Sequence, residues 1–482
     1  MIFNDMRSFL KKLEEDGDLL RLNGVDWNLE MGALTELLAE RGGPALLFDK
    51  IKGYPPGYRV TSNLYNTLRR FNVANNMPEG MGKLEVVKNL RGKAFQPVPP
   101  VYVKTGPIME NVHTGDQIDL LEFPTPKWHE RDGGRYMGTG VVIIMKDPEE
   151  GWINAGVQRA MLHDKSNLGL MCSPGKHNFI IQRRYWERGL SCPVVLAIGA
   201  DPILFRIANE AVPWGISEFD WAGWFRGEPV SVIKGDFTGL PFPANCEIVI
   251  EGEIVSRDIE SRPEGPFGEW TGYYAGETMP EPVIHVKAVY HRDEPILHGA
   301  PPLKPPGGTF SIQTHSICTL WDELEKAGVR NVKGVWQMEP GGGRLLTVIS
   351  IKQDHAGHAK QAGLIAAGSH GAGYMGRFYI VVDDDIDPTD MNDVLWAVAT
   401  RADPETSIDI IKDCWGGRLD PAIPCEKKEK EDYSRSIAII NACKKPFYQI
   451  ASFPQTSRVT PALRSEVIKK WEEIIPALKK SK

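Results

Sequence analysis

The sequence predicts a mixed α/β (α+β) chain of three domains: an N-terminal α/β domain over 1–115, a β-rich middle over 116–307 and a C-terminal α/β domain over 308–482. Three observations carry this. The 482 residues exceed what one hydrophobic core serves, so more than one domain is expected. Near Asn111 the pattern changes from strand–helix alternation to short β-rich runs separated by Gly and Pro. The run Ala300-Pro301-Pro302-Leu303-Lys304-Pro305-Pro306-Gly307-Gly308 then interrupts the chain before alternation resumes.

Asp5 to Gly17 reads as the opening helix, with Met6, Phe9, Leu10 and Leu13 on one face and Gly17 closing it. Glu30 to Arg41 reads as a second helix, followed by a strand at Ala45 to Phe48. Pro97-Val98-Pro99-Pro100 is a connector near the end of this region. In the middle region, strands are expected at Gly140–Met145, Val194–Ile198, Val230–Ile233, Glu247–Ile250 and Val283–Tyr290. Many short strands with Gly/Pro turns describe a barrel or a sandwich. One helix, His177 to Arg188, interrupts them. After the Pro-rich break come a helix from Phe310 to Ala327, a strand at Leu345–Ile351, a helix from Ala356 to Ala367, a strand at Tyr379–Val382 and a helix from Met391 to Ala399. Thr460 to Leu478 reads as a charged amphipathic helix suited to packing on a partner subunit.

Composition narrows the function classes. Hydrophobic residues at 42% and charged residues at 25% are the fractions of a soluble globular protein. Acids outnumber bases, 63 to 56, which argues against a nucleic-acid partner. No apolar run approaches the roughly 20 residues that span a bilayer, and the first residues lack a signal-peptide pattern. No membrane association is therefore expected. The seven cysteines are scattered, odd in number and never in a CxxC pair, which argues against a disulfide framework or zinc site and fits a reducing cytoplasm.

The most informative block is Glu264-Gly265-Pro266-Phe267-Gly268-Glu269-Trp270-Thr271-Gly272-Tyr273. Pro266 stiffens it and Gly265 and Gly268 loosen it, so it is no regular helix but a strand running into a tight turn that aims both acids. Upstream, Trp152 to Arg159 adds an arginine and an amide. A guanidinium fork matches a carboxylate in two parallel bonds, and a desolvated glutamate beside it becomes a proton donor or acceptor near neutral pH. Arg159, Glu264 and Glu269 are the candidates. Spacing alone also fits a structural Arg–Glu pair beside a turn.

Asn154, His177 and Glu218 form a second candidate set. His177 opens a helix, and Glu218 follows Ser217, a helix cap. Oxygen and nitrogen ligands of this kind suit Mg²⁺ or Mn²⁺ and leave positions open for a phosphate. The same residues also fit a capping carboxylate and a solvent-facing histidine. Other motifs fail on inspection. Asp383 to Asp387 is no calcium loop, because Pro388 stands where glycine is needed and Val394 where glutamate is needed. His355-x-x-His358 lacks the zinc-protease glutamate and reads as a half-exposed helix face. Gly371-Ala372-Gly373-Tyr374-Met375-Gly376 matches GxGxxG but precedes a strand, which removes a dinucleotide reading and leaves a mobile loop.

Together these blocks resemble the UbiD-type prenylated-FMN-dependent decarboxylases. The resemblance runs over almost the whole chain: Asn154 to Asp164, Ser173 to His177, Gly215 to Glu218, Gly227 to Pro229, Glu251 to Glu253, Glu264 to Tyr273, and Asp383 to Asp387 followed by Thr400-Arg401. It implies that the middle domain is a split β-barrel holding prenylated FMN, and that the C-terminal domain supports a homo-oligomer, a dimer or a hexamer. It implies catalytic roles for Arg159, Glu264 and Glu269, and metal ligation by Asn154, His177 and Glu218. Asn154, Arg159, His177 and the basic Arg377 would hold the cofactor, with Mn²⁺ or Mg²⁺ and K⁺ as ions.

The implied reaction is reversible, non-oxidative decarboxylation of an aromatic, heteroaromatic or α,β-unsaturated carboxylic acid, through a covalent adduct with the prenylated flavin. Arg159 would orient the carboxylate, Glu264 would fix the arginine and Glu269 would deliver the proton that replaces CO₂. A flavin prenyltransferase would supply the cofactor. Two other functions share these residues. A flavin-dependent redox enzyme is opposed by the absence of a usable dinucleotide fingerprint. A non-catalytic subunit of a carboxylase complex is opposed by the retention of the arginine and both acids. Trp270 is placed to stack on a flat ring and Lys176 to meet a second anionic group, although each also fits ordinary packing or surface exposure.

Overall fold

The structure, a computed structural model, describes residues 2–93, 95–210, 212–274, 276–308 and 314–475. The first helix, Met6–Glu15, buries Met6, Phe9, Leu10 and Leu13, and Asp5 caps it by accepting from the Ser8 N–H. It leads into a four-stranded sheet of Leu19–Asn23, Ala45–Asp49, Arg59–Ser62 and Ile296–His298, in that order. The fourth strand comes from the far end of the middle region and pairs in parallel with Arg59–Ser62.

The middle of the chain builds a curled, antiparallel ten-stranded sheet, a half-barrel. Its order is Arg135–Gly138, Ala160–Leu162, Asn167–Leu170, Met279–His291, Ile248–Ile254, Cys192–Ile198, Val141–Lys146 and Ile153–Gly156. Met279–His291 also carries a short strand at each end: Ser261–Glu264 pairs with its start and Asn111–Thr114 with its finish. The sheet is covered on both faces. Val142, Ile144, Val195 and Ala197 point into one buried cluster, and Val141, Ile143, Met145 and Leu196 into another. Burial on both sides explains why these strands are continuous apolar runs without alternation. Each fully buried Val, Leu, Ile or Met side chain contributes roughly 1.5–3 kcal/mol. A three-stranded sheet of Pro241–Pro243, Ser231–Lys234 and Val101–Tyr102 flanks them.

The last sheet has five strands in the order Val332–Gln337, Leu346–Ile351, Phe378–Asp383, Arg435–Ala442 and Ile408–Cys414. Its three inner strands are parallel and its two edges antiparallel. Helices Thr314–Lys326, His358–Gly368 and Met391–Arg401 accompany it. The helix expected from Phe310 is described from Thr314, its first residues lying outside the described ones. The terminal helix is Pro461–Trp471, and the expected stretch from 476 onwards also lies outside the described residues.

Two local expectations change, at His358 and around Gly371, while the acidic run ends the strand Phe378–Asp383 ahead of the helix Met391–Arg401. His358 is buried, because its Nδ1 accepts from the Asp354 N–H at 3.2 Å and the His355 ring stacks on it at 4.7 Å. Asp383 and Asp385 are bound by Arg401, with Nη1–Oδ distances of 3.3 and 2.9 Å, so the acidic run is an ion-pair network. The glycine segment around Gly371 is packed, since a Cβ there would stand 2.6 Å from the Leu320 nitrogen.

Candidate active site

A cavity of ≈330 Å³ opens between the half-barrel and the C-terminal region. Arg159, His177, Glu218 and Glu269 line it from one side, and Arg344 and His370 from the other.

Arg159 follows the strand Ile153–Gly156, and Glu264 ends the strand Ser261–Glu264. Arg159 Nε donates to Glu264 Oε1 at 2.8 Å and Nη2 to Oε2 at 2.7 Å, a two-pronged pair. Arg159 Nη1 donates to Glu269 Oε1. The Tyr136 hydroxyl donates to Glu264 Oε1 at 2.8 Å, and the Phe267 ring lies 5.2 Å from the guanidinium carbon. Glu264 is 1% exposed and Glu269 7%. Burial works against the Arg159 charge, but Glu269 and Glu264 outweigh it and raise its pKa. Burial pushes the Glu269 carboxyl above the usual carboxylate range, with Arg159 opposing. Burial and the Glu264 carboxylate push the Tyr136 phenol far up, so it remains a neutral donor.

The acid-bearing turn is held from outside by the segment 129–134. Gly133 N donates to Pro266 O at 2.8 Å, and Gly268 N to Asp132 Oδ1 at 3.1 Å. A Cβ at Gly133 would stand 2.0 Å from the Gly265 carbonyl oxygen, so only glycine allows this approach. Glu269 N donates to Tyr273 O at 3.0 Å, closing the turn on itself. Trp270 lines the cavity but also packs on the C-terminal region: a Cβ at Gly342 would stand 2.5 Å from its ring.

The second candidate set is also brought together. His177 is the first residue of the helix His177–Trp186, and its Nδ1 donates to Asn154 Oδ1 at 3.1 Å. Asn154 Nδ2 donates to Asn178 Oδ1 at 2.7 Å. Glu218 opens the helix Glu218–Arg226 behind its Ser217 cap, and its Oε2 accepts from the Ala155 N–H at 2.7 Å. The Glu218 carboxyl is 4% exposed, and among the described residues no cationic side chain pairs with it. Burial pushes it up to about 8, the Ala155 N–H opposing. Burial, with Lys176 and His370, pushes the His177 imidazole down. A buried carboxylate without a counter-charge, beside an amide oxygen and an imidazole, is a donor set that fits a hard divalent cation.

Arg377 is not brought into the cavity: its guanidinium pairs with Asp420, which Arg435 also contacts at 3.3 Å. The cavity wall carries Arg344 and Lys176 instead. Lys176 faces cavity solvent, yet the surrounding walls and the Arg344 charge lower its ammonium to about 8. Sequence reasoning missed Tyr136, Asn178 and Arg344. None of them lies in the acid-bearing block, and their roles come from contacts between distant segments.

Arranged this way, the site presents a guanidinium fixed between two acids, of which Glu269 is biased towards its protonated form, and a separate set of oxygen and nitrogen donors. That is equipment for orienting an anion and transferring a proton.

Comparison with known proteins gives the same direction. Models of the UbiD 3-octaprenyl-4-hydroxybenzoate carboxy-lyase match residues 10–85 as its N-terminal domain, 100–305 as its Rift-related domain and 314–442 as its C-terminal domain. A pyrrole-2-carboxylic acid decarboxylase of Pseudomonas aeruginosa is 36% identical over 417 residues, 83% of this chain and 83% of that protein. A phenolic acid decarboxylase of Bacillus subtilis is 33% identical over 434 residues, 87% of this chain and 89% of that protein. Among solved structures, the UbiD-class enzyme HmfF from Pelotomaculum thermopropionicum in complex with FMN superposes with a TM-score of 0.82 at 29% identity, covering 96% of this chain and 98% of that one. An evolved dimeric form of HmfF, in complex with prFMN, superposes at 0.79 with 28% identity and the same coverage.

Proposed function

The chain belongs to the UbiD family and is a carboxy-lyase, and from that premise we propose that it interconverts an aromatic, heteroaromatic or α,β-unsaturated carboxylic acid with its decarboxylated product and CO₂. The observation that carries this is Arg159 bridging Glu264 and Glu269 in the cavity wall. Prenylated FMN, when bound, would supply the electron sink that a leaving carboxylate on an sp² carbon requires and that side chains cannot offer.

The chain's own residues would do the rest. Arg159 turns its remaining N–H groups to the cavity and holds the substrate carboxylate. Glu264 does not line the cavity; it grips the arginine from behind, with Tyr136 on its second lone pair. Glu269 carries the proton that replaces CO₂, and its burial keeps that proton in place until a carbon needs it. Asn154, His177 and Glu218 would hold a divalent cation, Mn²⁺ or Mg²⁺, against the cofactor phosphate. Lys176 and Arg344 would add positive charge to the same wall. In the reverse direction Glu269 would take the proton.

The two relatives are decarboxylases of flat acids, pyrrole-2-carboxylic acid and phenolic acids, and Trp270 on the cavity wall suits a ring. Leu463, Val467 and Trp471 are exposed one turn apart along the helix Pro461–Trp471, which supports a homodimer or larger homo-oligomer with the terminal helix at the interface. The test is to produce the protein with a flavin prenyltransferase, identify the released cofactor by mass spectrometry and assay CO₂ release from pyrrole-2-carboxylate and phenolic acids. Prenylated FMN with CO₂ release supports the proposal. Ordinary FMN with NAD(P)H consumption overturns it.

A further inference from the structure

The strand Met279–His291 starts beside Glu264 and ends, on the order of 40 Å further along, at a second group of metal-binding side chains. His113 lies on Asn111–Thr114, which pairs with the end of that strand. Glu122 closes the short turn Leu120–Glu122. One ligand atom from each of His113, Glu122 and His291 lies within 4.8 Å of the other two.

The hydrogen bonds around this group leave its inner atoms unused. His291 Nδ1 stands 2.9 Å from the Arg292 carbonyl oxygen. A carbonyl only accepts, so Nδ1 carries the proton and Nε2 keeps its lone pair. Glu122 Oε2 accepts from the Tyr58 hydroxyl at 3.4 Å, leaving Oε1. His113 Nδ1 and Glu122 Oε1 are 3.2 Å apart without the geometry of a hydrogen bond. His113 Nδ1, Glu122 Oε1 and His291 Nε2 are all buried, and none has a hydrogen-bond partner among the described residues. His291 itself is 4% exposed, with the edge of its ring contact to Phe123 at 5.5 Å. Two imidazole nitrogens and a carboxylate oxygen turned towards one buried point are unfavourable unless a cation joins them.

We propose that His113 Nδ1, Glu122 Oε1 and His291 Nε2 form a zinc site, with a water in the fourth position. Imidazole nitrogens favour zinc over magnesium or manganese. Ligands about 2.0–2.1 Å from a tetrahedral zinc stand about 3.3 Å from one another, close to the His113–Glu122 separation. The outer partners also fit: a backbone carbonyl fixes the His291 tautomer and a tyrosine holds the free carboxylate oxygen. The site contains no cysteine, so cysteine spacing gave no sign of it. Its place in the fold gives it a structural role: it ties the segment 111–122, the end of the longest strand and Tyr58 from the N-terminal region.

The test uses full-length protein stripped with a chelator and titrated with Co²⁺, whose tetrahedral complexes absorb visibly, followed by Zn²⁺ competition. The Glu218→Gln background removes the cavity donor set from the reading. One equivalent of tetrahedral Co²⁺ displaced by Zn²⁺, with affinity lowered roughly 100-fold or more in Glu122→Gln and His113→Gln, supports the site. Absence of a tetrahedral signal, or a signal both variants leave unchanged, overturns it. Should the variants misfold, X-ray absorption of zinc-loaded Glu218→Gln protein decides: two imidazoles and a carboxylate support the site, and any other ligand set overturns it.

Discussion

Arg159 grips Glu264 by two parallel hydrogen bonds, Nε to Oε1 at 2.8 Å and Nη2 to Oε2 at 2.7 Å, and this leaves Nη1 to reach Glu269. The pair is almost dry on the glutamate side, so the arginine's direction is set by a partner that does not line the cavity. Glu264→Gln replaces one acceptor oxygen by a donor facing the guanidinium. A displacement of about 1 Å at a reacting centre costs on the order of 100-fold. The expected result is a kcat lowered by that order at matched flavin content, measured by CO₂ release.

Glu269 gives the pH profile. Its burial favours the protonated form, so the acid that donates is present below its raised pKa and is lost as pH rises through it. The decarboxylation rate is expected to be flat on the acid side of that value and to fall roughly tenfold per pH unit above it. The same sign applies to stability, because the folded chain holds this proton more tightly than the unfolded one. Glu269→Gln keeps the shape and loses the proton, so turnover should vanish while flavin stays bound, as read by absorbance and CO₂ release.

Gly133 lies outside the cavity lining yet should behave as an active-site position. A Cβ there meets the Gly265 carbonyl at 2.0 Å, and that carbonyl belongs to the backbone between the two acids. Gly133→Ala should displace the turn, cost about 1–3 kcal/mol in stability and lower kcat with little change around Asn154, His177 and Glu218. Thermal unfolding and steady-state kinetics check both parts.

Much of this arrangement was legible because it is local. Pro266 between Gly265 and Gly268 dictates a turn, and a turn of that kind aims Glu264 and Glu269. The helix starts at His177 and Glu218 were legible for the same reason, from the turn residues Ser173-Pro174-Gly175 before the one and the Ser217 cap before the other. What was illegible depends on distant pairing. Ile296–His298 joins the N-terminal sheet across more than 200 residues, and nothing in its three residues announces a partner. Tyr136 reaches Glu264 from a separate strand. Ile408–Cys414 is half exposed and charged, so it lacks the apolar pattern of an inner strand. Arg377 precedes a strand as expected, but Asp420 turns its side chain away, and no sequence spacing reveals that pairing.

His298 provides a pH-dependent stability that is independent of the cavity. It is buried between Phe205 and Tyr65, with ring centroids at 4.6 and 5.8 Å, and burial pushes its pKa down to about 3. Above the unfolded value, near 6.5, both states are neutral. Below it the unfolded chain takes a proton that the folded chain refuses until about 3, so stability falls as pH falls. At pH ~5 the loss is about 2 kcal/mol. His298→Phe keeps the aromatic contacts, and its unfolding free energy, followed by denaturant titration between pH ~7 and pH ~5, should lose that share of the slope.

The central claim, that the Arg159 fork over Glu264 and Glu269 organises decarboxylation, is tested most directly by one rate: CO₂ release by Arg159→Lys holoenzyme, normalised to bound flavin. Lysine keeps the charge but cannot bond two acids and a substrate carboxylate in fixed directions. A fall of roughly 100-fold or more at equal flavin occupancy is the predicted result. Turnover within a few-fold of the unsubstituted enzyme would contradict the account.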